Sequence, residues 1–176
     1  GNAVSNLSST RALSDITYKH GGEYFASSVG EVNVVEKMKE TSAIIGGEGN
    51  GGIIYPTLHY GRDALVGIAL FLTYLSEKDL SVSELRSSYP NYFISKNKIE
   101  LTDSTDMQFI ISELANKYSK EKINLVDGLK IDFDEGWVHL RKSNTEPIVR
   151  IYSESISKQK ADKLASIFVE EIKSLI

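Results

Sequence analysis

What most constrains the fold is a change of pattern at Tyr89-Pro90-Asn91. Before it, short β-branched segments alternate with helical ones; after it, strands follow one another closely. Strands alternating with helices build a parallel sheet flanked by helices. Strands in direct succession build antiparallel hairpins. One chain carrying both patterns reads as an α/β domain followed by an α+β domain, with a boundary near residue 90. At 176 residues, two small domains fit the length.

The first half reads as a strand at Ala3 to Asn6, a helix to about Lys19, a strand from Glu23 to Val29, and a helix from Glu31 to Thr41 with Val34, Val35 and Met38 inward. Gly21-Gly22 stops the first helix. A third strand, Ser42 to Ile45, runs into Gly46-Gly47-Glu48-Gly49-Asn50-Gly51-Gly52. Arg62-Asp63 opens a helix to about Leu75 that is apolar nearly all round, which predicts burial between layers. In the second half, Tyr92 to Leu101 alternates as a strand. Asp103 or Ser104 caps a helix carrying Met107, Ile110, Ile111, Leu114, Ala115 and Tyr118 on one face. Strands Gly128 to Phe133, Trp137 to Arg141 and Ile148 to Tyr152 follow, then a helix from about Ser157. The expected fold class is therefore a partial parallel α/β domain, then a small α+β domain with a four-stranded antiparallel sheet and two helices.

Composition narrows the function. The formal charge is −4 with no basic block, which argues against nucleic acid or an anionic membrane as partner. With no cysteine, disulfide and thiolate chemistry are excluded, and a reducing, cytoplasmic setting is expected. The longest apolar run, Ala64 to Leu75, is shorter than the roughly 20 residues of a membrane span. The chain opens Gly-Asn-Ala without an initiator Met and enters a strand-like segment at once, so it reads as a piece of a longer polypeptide.

Two stretches carry chemistry. Arg141-Lys142-Ser143-Asn144-Thr145-Glu146-Pro147 lies between two apolar strands. Its guanidinium fork, hydroxyls and backbone N–H groups suit a phosphate. The same residue types also make an ordinary polar turn. The glycine-rich stretch sets Glu48 and Asn50 among five glycines. An acceptor beside a mixed donor–acceptor suits sugar hydroxyls, and glycines allow close approach; a flexible turn is the alternative. Gly47-x-Gly49-x-x-Gly52 has the spacing of a dinucleotide fingerprint, but Ile53-Ile54-Tyr55-Pro56 follows instead of a helix, and Glu48 would repel pyrophosphate. Asp132-x-Asp134-Glu135-Gly136 lacks the remaining positions of a calcium loop and reads as a hairpin turn. His139 shares a strand face with Trp137 and Arg141, where it either lines the phosphate site or packs. No nucleophile with a partnered base is visible, and no His or Asp pair has metal-ligand spacing.

Together these motifs resemble the α-D-phosphohexomutases: phosphoglucomutase, phosphomannomutase and phosphoglucosamine mutase. Gly47-Glu48-Gly49-Asn50-Gly51-Gly52 is similar to the family's sugar-binding loop, G-E-x-S-G. Arg141 to Arg150 is similar to its phosphate loop, R-x-S-x-T-E-P-x-x-R. Gly61-Arg62-Asp63-Ala64 resembles the G-R-D segment after the sugar loop, and Val29-Gly30-Glu31 with Lys37-Met38-Lys39 the stretch before it. The resemblance implies that residues 1–88 are most of domain three of a four-domain enzyme, without its first helix, and residues 90–176 domain four. It implies substrate contacts by Glu48, Gly49, Asn50 and Gly51, and phosphate contacts by Arg141, Ser143, Asn144 and Thr145; Glu146 is expected to brace an Arg. The implied reaction is reversible phosphoryl transfer within a hexose phosphate, through a phosphoserine and a bisphosphorylated sugar. The phosphoserine and the aspartate-rich Mg2+ loop belong to domains one and two and have no counterpart here, so the chain alone is expected to be inactive. Its expected partners are the hexose phosphate and the missing N-terminal domains of the same polypeptide. Asn50 replaces the usual Ser, Gly52 stands where some members have His, and Glu31 where some carry a substrate-reaching His, which leaves the preferred hexose open. The competing expectation is a non-catalytic sugar-phosphate-binding regulatory module.

Overall fold

Val4 has no exposed surface and sits in a strand whose four residues are all buried, β1 (Ala3–Asn6). A strand so placed needs neighbours on both edges. β1 pairs in parallel with β2 (Tyr24–Ser27) and with β3 (Ile45–Glu48). Parallel neighbours need long crossovers, supplied here by α1 (Ala12–Lys19) and α2 (Glu31–Thr41). The computed structural model describes residues 1–102, 105–143 and 145–176. The chain divides into two compact units, Gly1–Asn91 and Tyr92–Ile176.

In the first unit, Val34 and Met38 of α2 pack against Val4, Ala43 and Ile54 to make the core. A Cβ at Gly46 would lie 2.2 Å from the Met38 sulfur, so the Met38 side chain packs directly over the glycine backbone. Beyond β3 the sheet turns antiparallel through β4 (Gly52–Tyr55) and β5 (His59–Arg62), in the order β2-β1-β3-β4-β5. The expected parallel arrangement thus describes β2-β1-β3, and an antiparallel edge is added to it. β5 carries no sequence signal because His59-Tyr60-Gly61-Arg62 lies at an edge and lacks alternating apolar residues.

α3 (Ala64–Lys78) starts where Asp63 accepts the N–H of Val66 at 3.0 Å, an ordinary carboxylate N-cap. Its expected burial on all sides is corrected by the structure. Among the described residues none of α3 is buried, and Leu65 is 79% exposed, Leu72 56% and Ile68 54%. α3 packs on β4, where Gly67 meets the Ile53 side chain. Apolar composition measures what a helix is able to bury; burial also needs a neighbour, and in this unit β4 faces one side. Ser81 and Glu84 then form a reciprocal capping box that starts α4 (Val82–Ser87).

The second unit is a sheet in the order β6-β10-β9-β8-β7, antiparallel throughout. Its strands are β6 (Phe93–Glu100), β7 (Lys122–Asn124), β8 (Leu129–Phe133), β9 (Gly136–Lys142) and β10 (Ile148–Ser155). Five strands replace the expected four. β7 has three residues with Ile123 between charged and polar neighbours, too short to show a period of two. Helices α5 (Met107–Lys117) and α6 (Lys158–Leu175) cover one face. Ile110, Leu114, Phe168 and Ile172 meet Ile131, Val138, Leu140, Val149 and Ile151 there. Asp103 and Ser104 lie outside the described residues; Asp106 caps α5, accepting the N–H groups of Gln108 and Phe109 at 2.9 and 3.0 Å.

Candidate functional site

In the first unit, β3 and β4 place Gly49, Asn50 and Gly51 at the tip of a hairpin. Gly51 takes φ +90°, a left-handed conformation that favours glycine. The Asn50 Oδ1 accepts the N–H of Gly52 at 3.1 Å, so its side chain braces the turn. Asn50, Gly51 and Gly52 line an open cleft of about 500 Å³ together with Glu31, Arg62 and Ala64.

Glu48 stands at the end of β3 with its side chain 7% exposed. Oε1 accepts from Asn6 Nδ2 at 2.9 Å and from the Gly30 N–H at 3.2 Å. Oε2 lies 3.7 Å from Arg62 Nη1. A nearly buried carboxylate needs such partners. Asn6 in turn accepts from the Ser8 N–H and the Ser9 hydroxyl. Arg62 also binds Glu31 twice, through its N–H at 3.1 Å and Nε at 2.8 Å. The backbone N–H of Arg62 first, and its guanidinium second, hold the Glu31 carboxyl below the usual carboxylate range. Asn6 was missed by sequence reasoning: it sits 42 residues from Glu48, in a strand that offers no turn or motif signal. The Arg62 pairing was missed too, because it joins segments 31 residues apart.

In the second unit, the face of the sheet away from the helices carries the candidate phosphate grip. Antiparallel register sets Lys98, Arg150 and Arg141 opposite one another across β6, β10 and β9. Directly opposed residues share a face, so three cations form a row that ends at the Arg141–Thr145 turn. Ser143 closes that turn: its N–H donates to Ile148 O at 2.9 Å, and the residue is buried. Its Oγ accepts the Thr145 N–H at 3.5 Å, a long contact. Asn144 lies outside the described residues. Glu146 pairs with Arg150 at 3.2 Å, as expected of a brace. Beside this pair is a second cleft of about 360 Å³, lined by Lys96, Lys98, Glu146, Arg150 and Tyr152 among others.

Arg141 itself is anchored. Its Nε lies 3.1 Å from Oδ2 and 3.2 Å from Oδ1 of Asp127. His139 settles as a packed residue rather than one lining a phosphate site. It is 2% exposed and its Nε2 lies 2.7 Å from the Asp127 carbonyl oxygen. Burial lowers its pKa to about 4, so the ring is neutral near pH 7 and Nε2–H donates to that carbonyl. Trp137, buried, donates Nε1–H to Glu154 at 2.7 Å, with the Lys130 ammonium 4.4 Å from its ring centre. Asp127 was missed from the sequence. Its one local signal, Asp-Gly ahead of a strand, reads as a turn.

Among the described residues no three His, Cys, Asp or Glu side chains come together as metal ligands. No helix among them is long and apolar enough to cross a membrane.

Comparison with known proteins places these two units. Residues 1–92 match the family described as phosphoglucomutase/phosphomannomutase, alpha/beta/alpha domain III, and residues 98–171 the phosphoglucomutase/phosphomannomutase C-terminal domain. A phosphoglucomutase/phosphomannomutase of Thermococcus kodakarensis is 36% identical over 163 residues, covering 92% of this chain and 35% of that protein. A phosphoglucosamine/phosphogalactosamine mutase of Sulfurisphaera tokodaii is 31% identical over 175 residues, covering 98% of this chain and 38% of that protein. The chain thus spans little more than a third of the length of these relatives. A solved phosphoglucomutase/phosphomannomutase family protein of Burkholderia thailandensis shares the fold, with a TM-score of 0.79 at 24% identity, covering 99% of this chain and 37% of the other. The two units, in this order, make the chain a member of the phosphoglucomutase/phosphomannomutase family, matching its domain III and its C-terminal domain.

Proposed function

We propose that this chain is the substrate-gripping portion of a phosphohexomutase, which interconverts hexose phosphates by reversible phosphoryl transfer through a phosphoserine and a sugar bisphosphate. The observation that carries the reading is the cation row Lys98–Arg150–Arg141 leading into a turn that Ser143 closes. Arg141, Ser143, Asn144 and Thr145 hold the phosphate that is not being transferred. A guanidinium offers a planar fork to two phosphate oxygens, and hydroxyl and backbone donors fill the remainder. Glu48, Gly49, Asn50 and Gly51 meet the sugar. Oε1 of Glu48 already accepts two donors, so Oε2 and the Asn50 amide are the groups that meet hydroxyls, with Arg62 beside them.

Phosphoryl transfer depends on positioning and on neutralising charge, and these residues supply both. The chain holds substrate without transferring phosphate by itself; the nucleophile and the Mg2+ loop are contributed by other segments of the same polypeptide. No step assigned to these residues runs through a metal. The names of the relatives span glucose, mannose, glucosamine and galactosamine phosphates, and hexose phosphates as a class are the substrates proposed.

The test is an amide-resolved NMR titration of the 176-residue chain, first with inorganic phosphate and then with glucose 1-phosphate. Shifts at Arg141–Thr145 with both ligands, and at Glu48–Gly52 with the sugar phosphate alone, are expected. Identical spectra at millimolar ligand would remove the assignment of both sites.

A further inference from the structure

The phosphate reading leaves one residue unexplained. Asp127 puts a carboxylate against the very guanidinium assigned to phosphate, although a carboxylate repels a phosphate. Its placement is built, and no loose loop tip carries it. Asn124 Oδ1 accepts the Val126 N–H at 2.9 Å and folds the segment into a turn. His139, neutral and buried, donates to the Asp127 carbonyl at 2.7 Å. Gly128 follows with φ +79°, and a Cβ there would lie 2.1 Å from Leu140 O, so the backbone lies directly on β9. These three restraints come from different residues, and together they set the Asp127 carboxylate beside Arg141 Nε.

The contact uses one edge of the guanidinium. A guanidinium is a rigid plane with five N–H donors. Fixing Nε fixes the direction of the two terminal nitrogens, because the group is planar and rigid. Arg141 is only 18% exposed, so its side chain is already ordered, and the entropy of ordering a long side chain is spent before ligand arrives.

We propose that Asp127 is a positioning residue for phosphate capture: it grips Arg141 by Nε and so presents the terminal nitrogens of the guanidinium to a phosphate monoester. This rests on the phosphate reading above. The opposite role would be a competing anion that phosphate must displace, and the two roles predict opposite signs on binding.

The experiment measures inorganic phosphate affinity of the 176-residue chain, its Asp127→Ala, Asp127→Asn and Arg141→Ala variants and the Asp127→Ala/Arg141→Ala double variant, and follows the Arg141 Nε–H resonance. In the native chain that resonance is expected to be protected before phosphate is added and to stay so at saturation. Asp127→Ala is expected to lose the protection and to bind phosphate about tenfold more weakly. Asp127→Asn, which keeps an acceptor oxygen in place, is expected to lose less. The double variant is expected to bind no more weakly than Arg141→Ala. If Asp127→Ala binds phosphate as well as or better than the native chain while Arg141→Ala is impaired, the positioning role is overturned and the phosphate site stands. If Arg141→Ala binds as the native chain does, or the native chain binds nothing, the phosphate reading falls and this proposal falls with it.

Discussion

The Nε of Arg62 donates to Glu31 Oε2 at 2.8 Å, while Nη1 of the same guanidinium lies 3.7 Å from Glu48 Oε2. The resemblance implied donors that are fewer or different here, because Glu31 stands where some family members carry a His. In this structure Glu31 holds the Arg62 guanidinium beside the Glu48 carboxylate. Arg62→Ala should therefore abolish the response of Asn50–Gly52 to glucose 1-phosphate and leave the response of Arg141–Thr145 to inorganic phosphate unchanged. The same NMR titration reads both. Because Arg62 holds the Glu31 pKa below its ordinary value, the pair persists at and above the usual carboxylate range and opens only as the pH falls beneath it.

Arg141→Ala in the full-length enzyme should lower kcat/KM for every hexose phosphate. Losing one charge-assisted contact costs about 1.5–3 kcal/mol. Steady-state kinetics on two or more hexose phosphates check this, and unaltered values for any of them would remove Arg141 from the substrate.

His139 makes the second unit sensitive to acid. Its folded pKa, about 4, is below its ordinary value of 6.5, so the unfolded chain binds the proton more readily. Stability is full above about pH 6.5 and falls as the pH drops toward 4, by roughly 3 kcal/mol at most, at about 1.4 kcal/mol per pKa unit. Urea unfolding of the native chain and of His139→Gln at several pH values measures it; the slope in this window should flatten in the variant.

Gly128→Ala should be costly. The left-handed φ of +79° strains any other residue, and the added carbon would meet Leu140 O at 2.1 Å. A loss of at least about 1–3 kcal/mol is expected from the backbone conformation alone. The Arg141 Nε–H resonance should move as well, since Asp127 shifts with its neighbour.

Two apolar residues should behave in opposite ways. Phe168 has no exposed surface and packs between Tyr118 and Phe133; Phe168→Ala should cost about 3–5 kcal/mol. Leu65 is 79% exposed, and Leu65→Gln should change the stability of this chain by no more than about 0.5 kcal/mol. Chemical denaturation of the two variants separates burial from hydrophobic composition.

Much of this was legible in the order of the residues. The inward faces of α2, α5 and α6 follow from apolar spacing, since Val34 and Met38, Ile110 and Leu114, Phe168 and Ile172 are all buried. The boundary between an alternating α/β pattern and an antiparallel one was visible near Tyr89-Pro90-Asn91. The two polar stretches were visible because glycine, hydroxyl and guanidinium groups cluster locally. β5 and β7 were not, because neither has the length or alternation to signal a strand.

What the sequence determined by itself is the local part: the inward faces of most helices, turns and the family to which two ordered motifs belong. Those properties depend on neighbours within a few residues, where periodicity and side-chain chemistry act directly. What only the tertiary structure decided is which distant groups meet: Asn6 with Glu48, Glu31 with Arg62, and Asp127 with Arg141. It also decided that α3 shows its apolar side chains to the outside of its unit. Charge and hydrophobicity state what a side chain needs, whereas sheet register and crossover geometry select the partner that meets the need.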